Sequence, residues 1–364
     1  MDGRRRTANP VLPPGLRRLL QSWAGSDLRK GLTTARAATQ ARVLHPKELD
    51  PLDTASTVVR RSTVEYAPGL LLDLVRPAEA AHPSPAIVWL HGGGWRLQDR
   101  AACPDLVQHF ARHGYVMVSI DYRLAPGTCH PGQIFDVRRA VRWLRANAGD
   151  HGIDPDRIGV WGSSAGGHLA ALAGVHSATT RLPGEGPVTV GSAVQAVVDG
   201  YGPTDLPGLV DLSAQRTPAE DCSPEASLLG GAIRDRLNAA RSASPALQVT
   251  PGAPPFLILH GLGDTLVPST QSVALYDALV AHGNDAVLYL IEGFGHGFFN
   301  PGHVLELGPD QTLDQGHLER NPHAPASTHA VSDFGRAFID NYPSASFAAV
   351  EAFFSHTLKS GTHP

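Results

Sequence analysis

The sequence predicts an α/β fold in which a mainly parallel β-sheet is covered by helices on both faces. Two observations favour this class. Short apolar runs, typical of buried parallel strands, recur along the chain, and helical segments separate several of them. Because strand–helix alternation implies right-handed crossovers, the loops at the carboxyl ends of the strands are expected to meet at one edge. Functional side chains are therefore expected in those loops.

The predicted domain spans residues 56–364. It begins with strands at 57–60 and 70–75, which are expected to form a hairpin at the sheet edge. Buried strands are predicted at 86–90, 116–120, 158–161, 196–198, 256–259 and 287–291. Helices are predicted around 134–144, 165–175 and 269–281, and a final helix at 345–358. In the first helix the polar face consists of Arg138, Arg139, Arg142 and Arg145.

Length and composition agree with a globular protein. The chain has 364 residues, of which 42% are hydrophobic and 18% charged, although length alone leaves the number of domains open. No apolar run approaches the roughly 20 residues that a membrane span needs, and no segment resembles a secretory signal. Cys103, Cys129 and Cys222 form neither a disulfide framework nor a zinc pattern. These features predict no membrane span and a cytoplasmic location.

Positive charge is concentrated at the start of the chain. Residues 1–47 hold ten Lys and Arg against two acidic residues, although the net charge of the whole chain is −4. Such an arm could contact nucleic acid or anionic lipid, but we interpret it as a surface arm that lies on its own acidic domain. We therefore predict no nucleic-acid partner and assign residues 1–55 to an N-terminal helical arm or a contribution to a cap.

The motif that decides the class of chemistry is Gly162-Ser163-Ser164-Ala165-Gly166. It follows the strand at 158–161 and opens an alanine-rich helix, which is the strand–turn–helix context that a G-x-S-x-G nucleophile requires. Ser164 is expected in a sharp, strained turn whose small neighbours let the helix approach the strand. Its hydroxyl would then project from the sheet edge at the positive end of a helix.

A glycine-rich loop, His91-Gly92-Gly93-Gly94-Trp95, directly follows the strand at 86–90. Successive glycines let backbone N–H groups point inward, so Gly93 and Gly94, together with Ala165, are predicted to donate to the oxyanion of a tetrahedral intermediate. A phosphate-binding loop is the alternative, but the G-x-x-x-x-G-K-[ST] pattern is absent. We therefore favour an oxyanion hole.

An acid and a base are expected after the last two buried strands. Asp264 follows the strand at 256–259, and His296 lies between glycines after the strand at 287–291. The order serine, aspartate, histidine is the one found with G-x-S-x-G nucleophiles. Asp205 is the competing acid, but we interpret it as a cap of the helix that follows it. The predicted nucleophile, acid and base are thus Ser164, Asp264 and His296.

These motifs, together with Asp121-Tyr122-Arg123-Leu124-Ala125-Pro126 and the segment His260–Pro268, resemble the α/β-hydrolase superfamily. The sequence is similar to the branch of hormone-sensitive-lipase-like esterases and bifunctional feruloyl/acetyl-xylan esterases. The resemblance covers about residues 56–300 and the final helix, and it implies the family's triad and oxyanion donors at the positions named above. Ser163 departs from the lipase-like branch, which usually has aspartate there. Family members often dimerise, so a homodimer stays open.

Two segments extend this domain. Residues 206–248 are predicted to form a small cap over a substrate pocket, with Trp95, Tyr201 and Leu206 on the acyl side. Residues 301–342 form a long insertion, which is expected to be a lid or an oligomer contact. The insertion contains four histidines, His303, His317, His323 and His329. No metal site is predicted there, because none of them lies at a short helical spacing typical of metal ligands.

The sequence therefore predicts a serine hydrolase that cleaves carboxylic esters of small acyl groups through an acyl-enzyme. Its partner would be a small-molecule ester, and the chemistry needs no cofactor. An amidase, formamidase or peptidase-like hydrolase with the same triad is the alternative among enzymes. A binding protein of the same fold that has lost catalysis is the alternative among other classes.

Overall fold

The structure is a computed structural model that describes residues 59–359, apart from residues 79, 81, 211–222 and 301–316. The N-terminal arm predicted for residues 1–55 lies outside the described residues. In the described part of the chain, one sheet contains β1 (Val59–Ala67), β2 (Leu70–Pro77), β3 (Ser84–Leu90), β4 (Val116–Ile120), β5 (Ile153–Ser163), β6 (Ala196–Gly200), β7 (Phe256–Gly261), β8 (Ala286–Ile291) and β9 (Ala326–Ala330).

The strand order across the sheet is β1-β2-β4-β3-β5-β6-β7-β8-β9. Strands β3 to β8 run parallel, whereas β1 is antiparallel to β2, β2 to β4, and β8 to β9. Strands β3, β4 and β6 are buried along their whole length, because helices cover both faces of the sheet. The predicted fold class and the hairpin at the sheet edge are confirmed.

The helices are α1 (Leu106–His109), α2 (Gly132–Ala146), α3 (Ala148–His151), α4 (Ala165–Val175), α5 (Pro224–Leu229), α6 (Leu237–Ser242), α7 (Thr270–Ala281), α8 (His317–Arg320), α9 (Asp333–Asn341) and α10 (Phe347–Phe354). A π-helical turn, Ser355–Lys359, follows α10. Apolar side chains of α2, α4 and α7 pack on one face of the sheet, and those of α1, α9 and α10 pack on the other.

The arginine face of α2 holds the loop that follows α4. Arg138 is fully buried, and its guanidinium donates to the carbonyl oxygens of His176 and Thr179 and to the carboxylate of Glu185. Arg142 donates to the same carboxylate at 2.5 Å. A buried charge needs a partner. Arg138 and Arg142 therefore form an internal ion-pair network with Glu185, although the sequence predicts only a polar face for α2.

The prediction of an insertion at residues 301–342 is wrong for residues 317–342, because these residues extend the sheet and the helical layer that covers it. Strand β9 pairs antiparallel with β8, so that Ala326 lies opposite Ile291. Helix α9 buries Phe338 in the core on that side. The strand was missed because its exposed and half-buried residues lack an apolar run, as is common at a sheet edge. Residues 301–316 of the insertion lie outside the described residues.

Candidate active site

Ser164 lies in the turn between β5 and α4, where its backbone has φ 53° and ψ −118°. This conformation is strained for a residue with a side chain. Close packing holds it in place. A Cβ on Gly166 would lie 2.0 Å from the carbonyl oxygen of Leu90, and one on Gly162 would lie 2.3 Å from the backbone of Gly166. The predicted need for small residues around the serine is confirmed.

The three side chains predicted to act together form one hydrogen-bonded chain. Nε2 of His296 lies 2.8 Å from Oγ of Ser164, and Nδ1 of His296 lies 2.6 Å from Oδ2 of Asp264. Because a carboxylate only accepts, Nδ1–H donates to Asp264, which leaves Nε2 to accept from the serine hydroxyl. The exposed fractions are 7% for Ser164, 9% for Asp264 and 3% for His296. This chain can pass the serine proton to the imidazole.

Donors hold the carboxylate of Asp264 on both oxygens. Oδ1 accepts from the backbone N–H groups of Leu266 and Val267 at 2.9 and 2.8 Å, and Oδ2 lies 3.3 Å from Nε2 of His260. Burial by itself would raise the pKa of Asp264. The charge of His296 and hydrogen bonds from His260 and His296 outweigh burial and hold this pKa well below its usual range. Asp264 therefore stays ionised.

Asp205 and Ser163 each form a hydrogen bond with a structural role. Asp205 accepts from the N–H of Gly208 at 3.2 Å, in agreement with the predicted cap. Ser163, the departure from the lipase-like branch, donates to Oδ1 of Asn300 at 3.1 Å, and both side chains are buried. This bond ties the turn of the nucleophile to the loop after His296.

The glycine-rich loop approaches Ser164. Gly94 and Ala165 line the cavity beside the serine hydroxyl. Gly93 has φ 98°, and a Cβ there would lie 2.5 Å from the carbonyl oxygen of Leu97, so the tight turn requires glycine. The donation of these three N–H groups to an oxyanion stays a prediction.

A buried histidine connects the glycine-rich loop to α4 and to the segment predicted as a cap. The indole N–H of Trp95 donates to Nδ1 of His168 at 3.1 Å, and Nε2–H of His168 donates to the carbonyl oxygen of Ala243 at 2.6 Å. Burial lowers the pKa of His168 to about 3, so the ring is neutral and has one donating and one accepting nitrogen. Trp95, which adopts a positive φ of 59°, is thereby anchored.

A cavity of about 30 Å³ lies beside Ser164, and its wall consists of Gly94, Trp95, Ser164, Ala165, Pro203, Pro224, Glu225, Leu266, Val267 and His296. Trp95 lines this cavity as expected, and its contact with a substrate stays a prediction. Tyr201 and Leu206 do not line it, since both residues are 0% exposed. The Tyr201 ring packs against the His296 imidazole with 4.8 Å between ring centroids, and Leu206 packs in the core.

Sequence reasoning missed several residues of the cavity wall. Leu266 and Val267 follow Asp264 closely. Their position in a loop at the same sheet edge is a signal that could have indicated their place in the cavity wall. Pro224 and Glu225 come from the first turn of α5. Nothing in the local sequence of α5 indicates that this helix packs beside the nucleophile, because that contact depends on how the chain returns to the sheet. The role of residues 206–248 as a cap stays a prediction.

A second buried carboxyl group lies next to the start of α4. Oδ1 of Asp199 accepts from the N–H of Gly202 at 3.0 Å, and a Cβ on Gly167 would lie 2.4 Å from the same oxygen. Burial raises the pKa of Asp199 to about 6, and the hydrogen bond from Gly202 offsets only part of this rise. This carboxyl group makes the stability of the fold sensitive to pH.

We expect Asp199→Asn to stabilise the protein more at pH 8 than at pH 4. The unfolded chain ionises this carboxyl group near pH 4, whereas the folded chain does so only near pH 6. The contribution of Asp199 to the free energy of unfolding therefore falls by about 3 kcal/mol as the pH rises through this interval, whereas asparagine stays neutral. Urea unfolding at both pH values measures the difference, with the exposed Asp150→Asn as a control. An equal change in unfolding free energy at both pH values would contradict it.

Among the described residues, no group of three or more His, Cys, Asp or Glu side chains is placed to hold a metal ion. His303 lies outside the described part of the chain. No helix that the structure describes is both long and apolar enough to cross a bilayer. The homodimer and the cytoplasmic location stay predictions.

The architecture and the site together define the class. A mainly parallel sheet carries a strained serine between a strand and a helix, and a histidine and an aspartate from later loops reach it in the order of α/β-hydrolases. The model of the BD-FAE family matches residues 72–279, which is more than half of the chain. The chain therefore belongs to the BD-FAE family.

Similar proteins include enzymes named as esterases. The chain is 37% identical over 245 residues to the esterase LipC of Mycobacterium tuberculosis, a match that covers 66% of this chain and 60% of LipC. A truncated carbohydrate esterase from gut microbiota superposes with a TM-score of 0.59 at 32% identity, over 66% of this chain and 90% of that one. Propionate-bound Est2, an esterase of Thermogutta terrifontis, superposes with a TM-score of 0.54 at 28% identity. This match covers 68% of this chain and 87% of Est2.

Proposed function

We propose that this protein is a carboxylic ester hydrolase. The hydrogen-bonded chain from Ser164 through His296 to Asp264 carries the proposal, with distances of 2.8 and 2.6 Å. The names of the similar proteins favour ester cleavage over the amidase alternative. Because the chain spans only 60% of the length of LipC, that relative supports the reaction class and not a particular substrate.

In the proposed acylation step, Ser164 Oγ attacks the ester carbonyl carbon while its proton passes to Nε2 of His296. Asp264 stabilises the imidazolium that forms and keeps the ring in the tautomer that can accept this proton. The carbonyl oxygen becomes an oxyanion, which the N–H groups of Gly93, Gly94 and Ala165 would bind. When the bond to the alcohol oxygen breaks, His296 returns the proton to the leaving alcohol.

Deacylation repeats this relay with water. His296 takes a proton from the water molecule as the water oxygen attacks the acyl carbon, and it then returns the proton to Ser164 Oγ as the acyl–oxygen bond breaks. The products are one alcohol and one carboxylic acid for each ester and water consumed. Every proton transfer in the two steps passes through Nε2 of His296, which lies 2.8 Å from Ser164 Oγ.

The cavity supports esters of short acyl chains. Its volume of about 30 Å³ is two to three times the ~10–15 Å³ that a single ordered water needs, so the cavity is small. Pro203, Leu266 and Val267 make much of the wall apolar. The similar Est2 has been captured with propionate and with butyrate bound, which is consistent with a small acyl pocket in proteins of this kind.

A series of p-nitrophenyl esters tests both parts of the proposal. We expect kcat/KM to be highest for acetyl or propionyl esters and to fall at least about tenfold by octanoyl, because longer chains exceed the cavity. The matched p-nitroanilides are expected to react at least about a hundredfold more slowly, since the leaving nitrogen needs stronger acid assistance. Faster turnover of the anilides would favour the amidase alternative, and no turnover of either series would favour a binding protein.

A further inference from the structure

His260, near the end of β7, is fully buried beside Asp264. It has no role in the proton relay proposed above. Its Nε2 lies 2.8 Å from the carbonyl oxygen of Val267 and 3.3 Å from Oδ2 of Asp264. Its Nδ1 lies 2.7 Å from the hydroxyl of Ser272 on α7. Three elements therefore fix the plane of this imidazole.

The partners of His260 decide which nitrogen carries hydrogen. A backbone carbonyl oxygen only accepts, so the contact with Val267 requires a hydrogen on Nε2. The nitrogen that carries this hydrogen also lies 3.3 Å from Oδ2 of Asp264, so the partial positive charge of the N–H lies beside that carboxylate. In a neutral ring, Nδ1 then accepts from the Ser272 hydroxyl.

Oδ2 of Asp264 thus lies beside two imidazole N–H groups. Nδ1–H of His296 donates to it at 2.6 Å, and Nε2 of His260, whose N–H donates to Val267, lies 3.3 Å away. Because the backbone N–H groups of Leu266 and Val267 occupy Oδ1, the carboxylate is constrained on both sides. Rotation of this carboxylate would lengthen the bond that orients the catalytic base, and His260 opposes that rotation.

We infer that His260 is a positioning residue for the Asp264–His296 pair, and this inference rests on the proposed ester hydrolysis. It acts through Asp264 and does not touch the reacting atoms. The charged or titratable groups that act on its ring are Asp264 from the loop after β7 and Asp199 from β6, and His296 contacts the same oxygen of Asp264. Its contribution is to keep the carboxylate of Asp264 correctly rotated toward His296.

Two substitutions of similar polarity test the inference. His260→Gln places an amide N–H near the position of Nε2, whereas His260→Asn reaches only the position of Nδ1 and leaves Asp264 without this donor. We expect the Gln variant to stay within about threefold of wild-type kcat. The Asn variant should lose about ten- to a hundredfold in kcat with little change in KM, as for a hydrogen bond to a charged group.

The pH profile separates positioning from packing. Without the His260 donor, the charge of Asp264 acts more fully on His296, so the acid limb of kcat/KM should move to higher pH in the Asn variant and stay in place in the Gln variant. Equal kinetics and unmoved profiles in both variants would overturn the inference. Inactive wild-type protein would instead overturn the proposed function, so the two failures are distinguishable.

A measurement on wild-type protein covers the case in which a variant does not fold. Side-chain ¹⁵N–¹H correlation spectra distinguish histidine tautomers. We expect His260 to carry hydrogen on Nε2 at neutral pH. A His260 ring protonated only on Nδ1 would have no donor for Asp264, and it would overturn the inference without any substitution.

Discussion

Ser164→Ala is expected to lower kcat for short p-nitrophenyl esters by about 10⁴- to 10⁶-fold, because it removes the only atom that can form the acyl-enzyme in the proposed mechanism. The fold should persist. Ser164 is already held at φ 53° by its neighbours, and alanine adds no atom to this turn. Thermal unfolding should therefore shift by no more than a few degrees. Stopped assays with purified variant measure the residual rate.

Ser163→Ala is the matched control for this experiment. It removes a hydroxyl from the adjacent residue and with it the 3.1 Å bond to Asn300. We expect a loss of less than about tenfold in kcat, because this hydroxyl only steadies the loop after His296. Retained hydrolysis in Ser164→Ala, or an equal loss in the two variants, would show that Ser164 is not the nucleophile.

Gly166→Ala should destabilise the fold severely. Its new Cβ would lie 2.0 Å from the carbonyl oxygen and 2.5 Å from the carbonyl carbon of Leu90, and 2.6 Å from the carbonyl oxygen of His91. All three atoms belong to the backbone of β3 and the glycine-rich loop, so no side chain can rotate away. Moving α4 away from the sheet would disrupt a fully buried core, at a cost of about 4 kcal/mol or more.

Gly149→Ala provides the control for this second prediction. Gly149 lies in α3 with nothing within 4 Å of an added Cβ and with a helical backbone. Alanine there should leave stability unchanged or raise it by about 0.5–1 kcal/mol. Chemical unfolding of both variants measures the contrast. A Gly166→Ala protein as stable as Gly149→Ala would show that α4 does not pack against β3 as closely as described.

Much of the fold could be predicted from the chain because the central strands are buried on both faces and read as continuous apolar runs. The runs in β3, β4 and β8 were all recognised in this way. Where burial is one-sided, no such run occurs. Strand β9 consists of small and polar residues at the sheet edge, so the sequence predicts an insertion there. The buried Arg138 likewise cannot be told from a surface arginine by helical periodicity.

The predicted triad followed from chain order, because each member comes directly after a strand and parallel strands end at one edge. His296 is 132 residues from Ser164 and 32 residues from Asp264, yet hydrogen bonds join it to both. The wall of the cavity follows no such rule. Tyr201 was expected to line it and instead packs behind the His296 ring.

The sequence by itself determined the class of fold, the strained turn at Ser164 and the candidates for acid and base, because these depend on local spacing after strands. The tertiary structure decided which side chains enclose the cavity, how the carboxylate of Asp264 is held by His260, and that residues 317–342 complete the sheet. The physical reason is that these contacts join segments distant in the chain. Their partners are chosen by three-dimensional packing, for which a local pattern carries no signal.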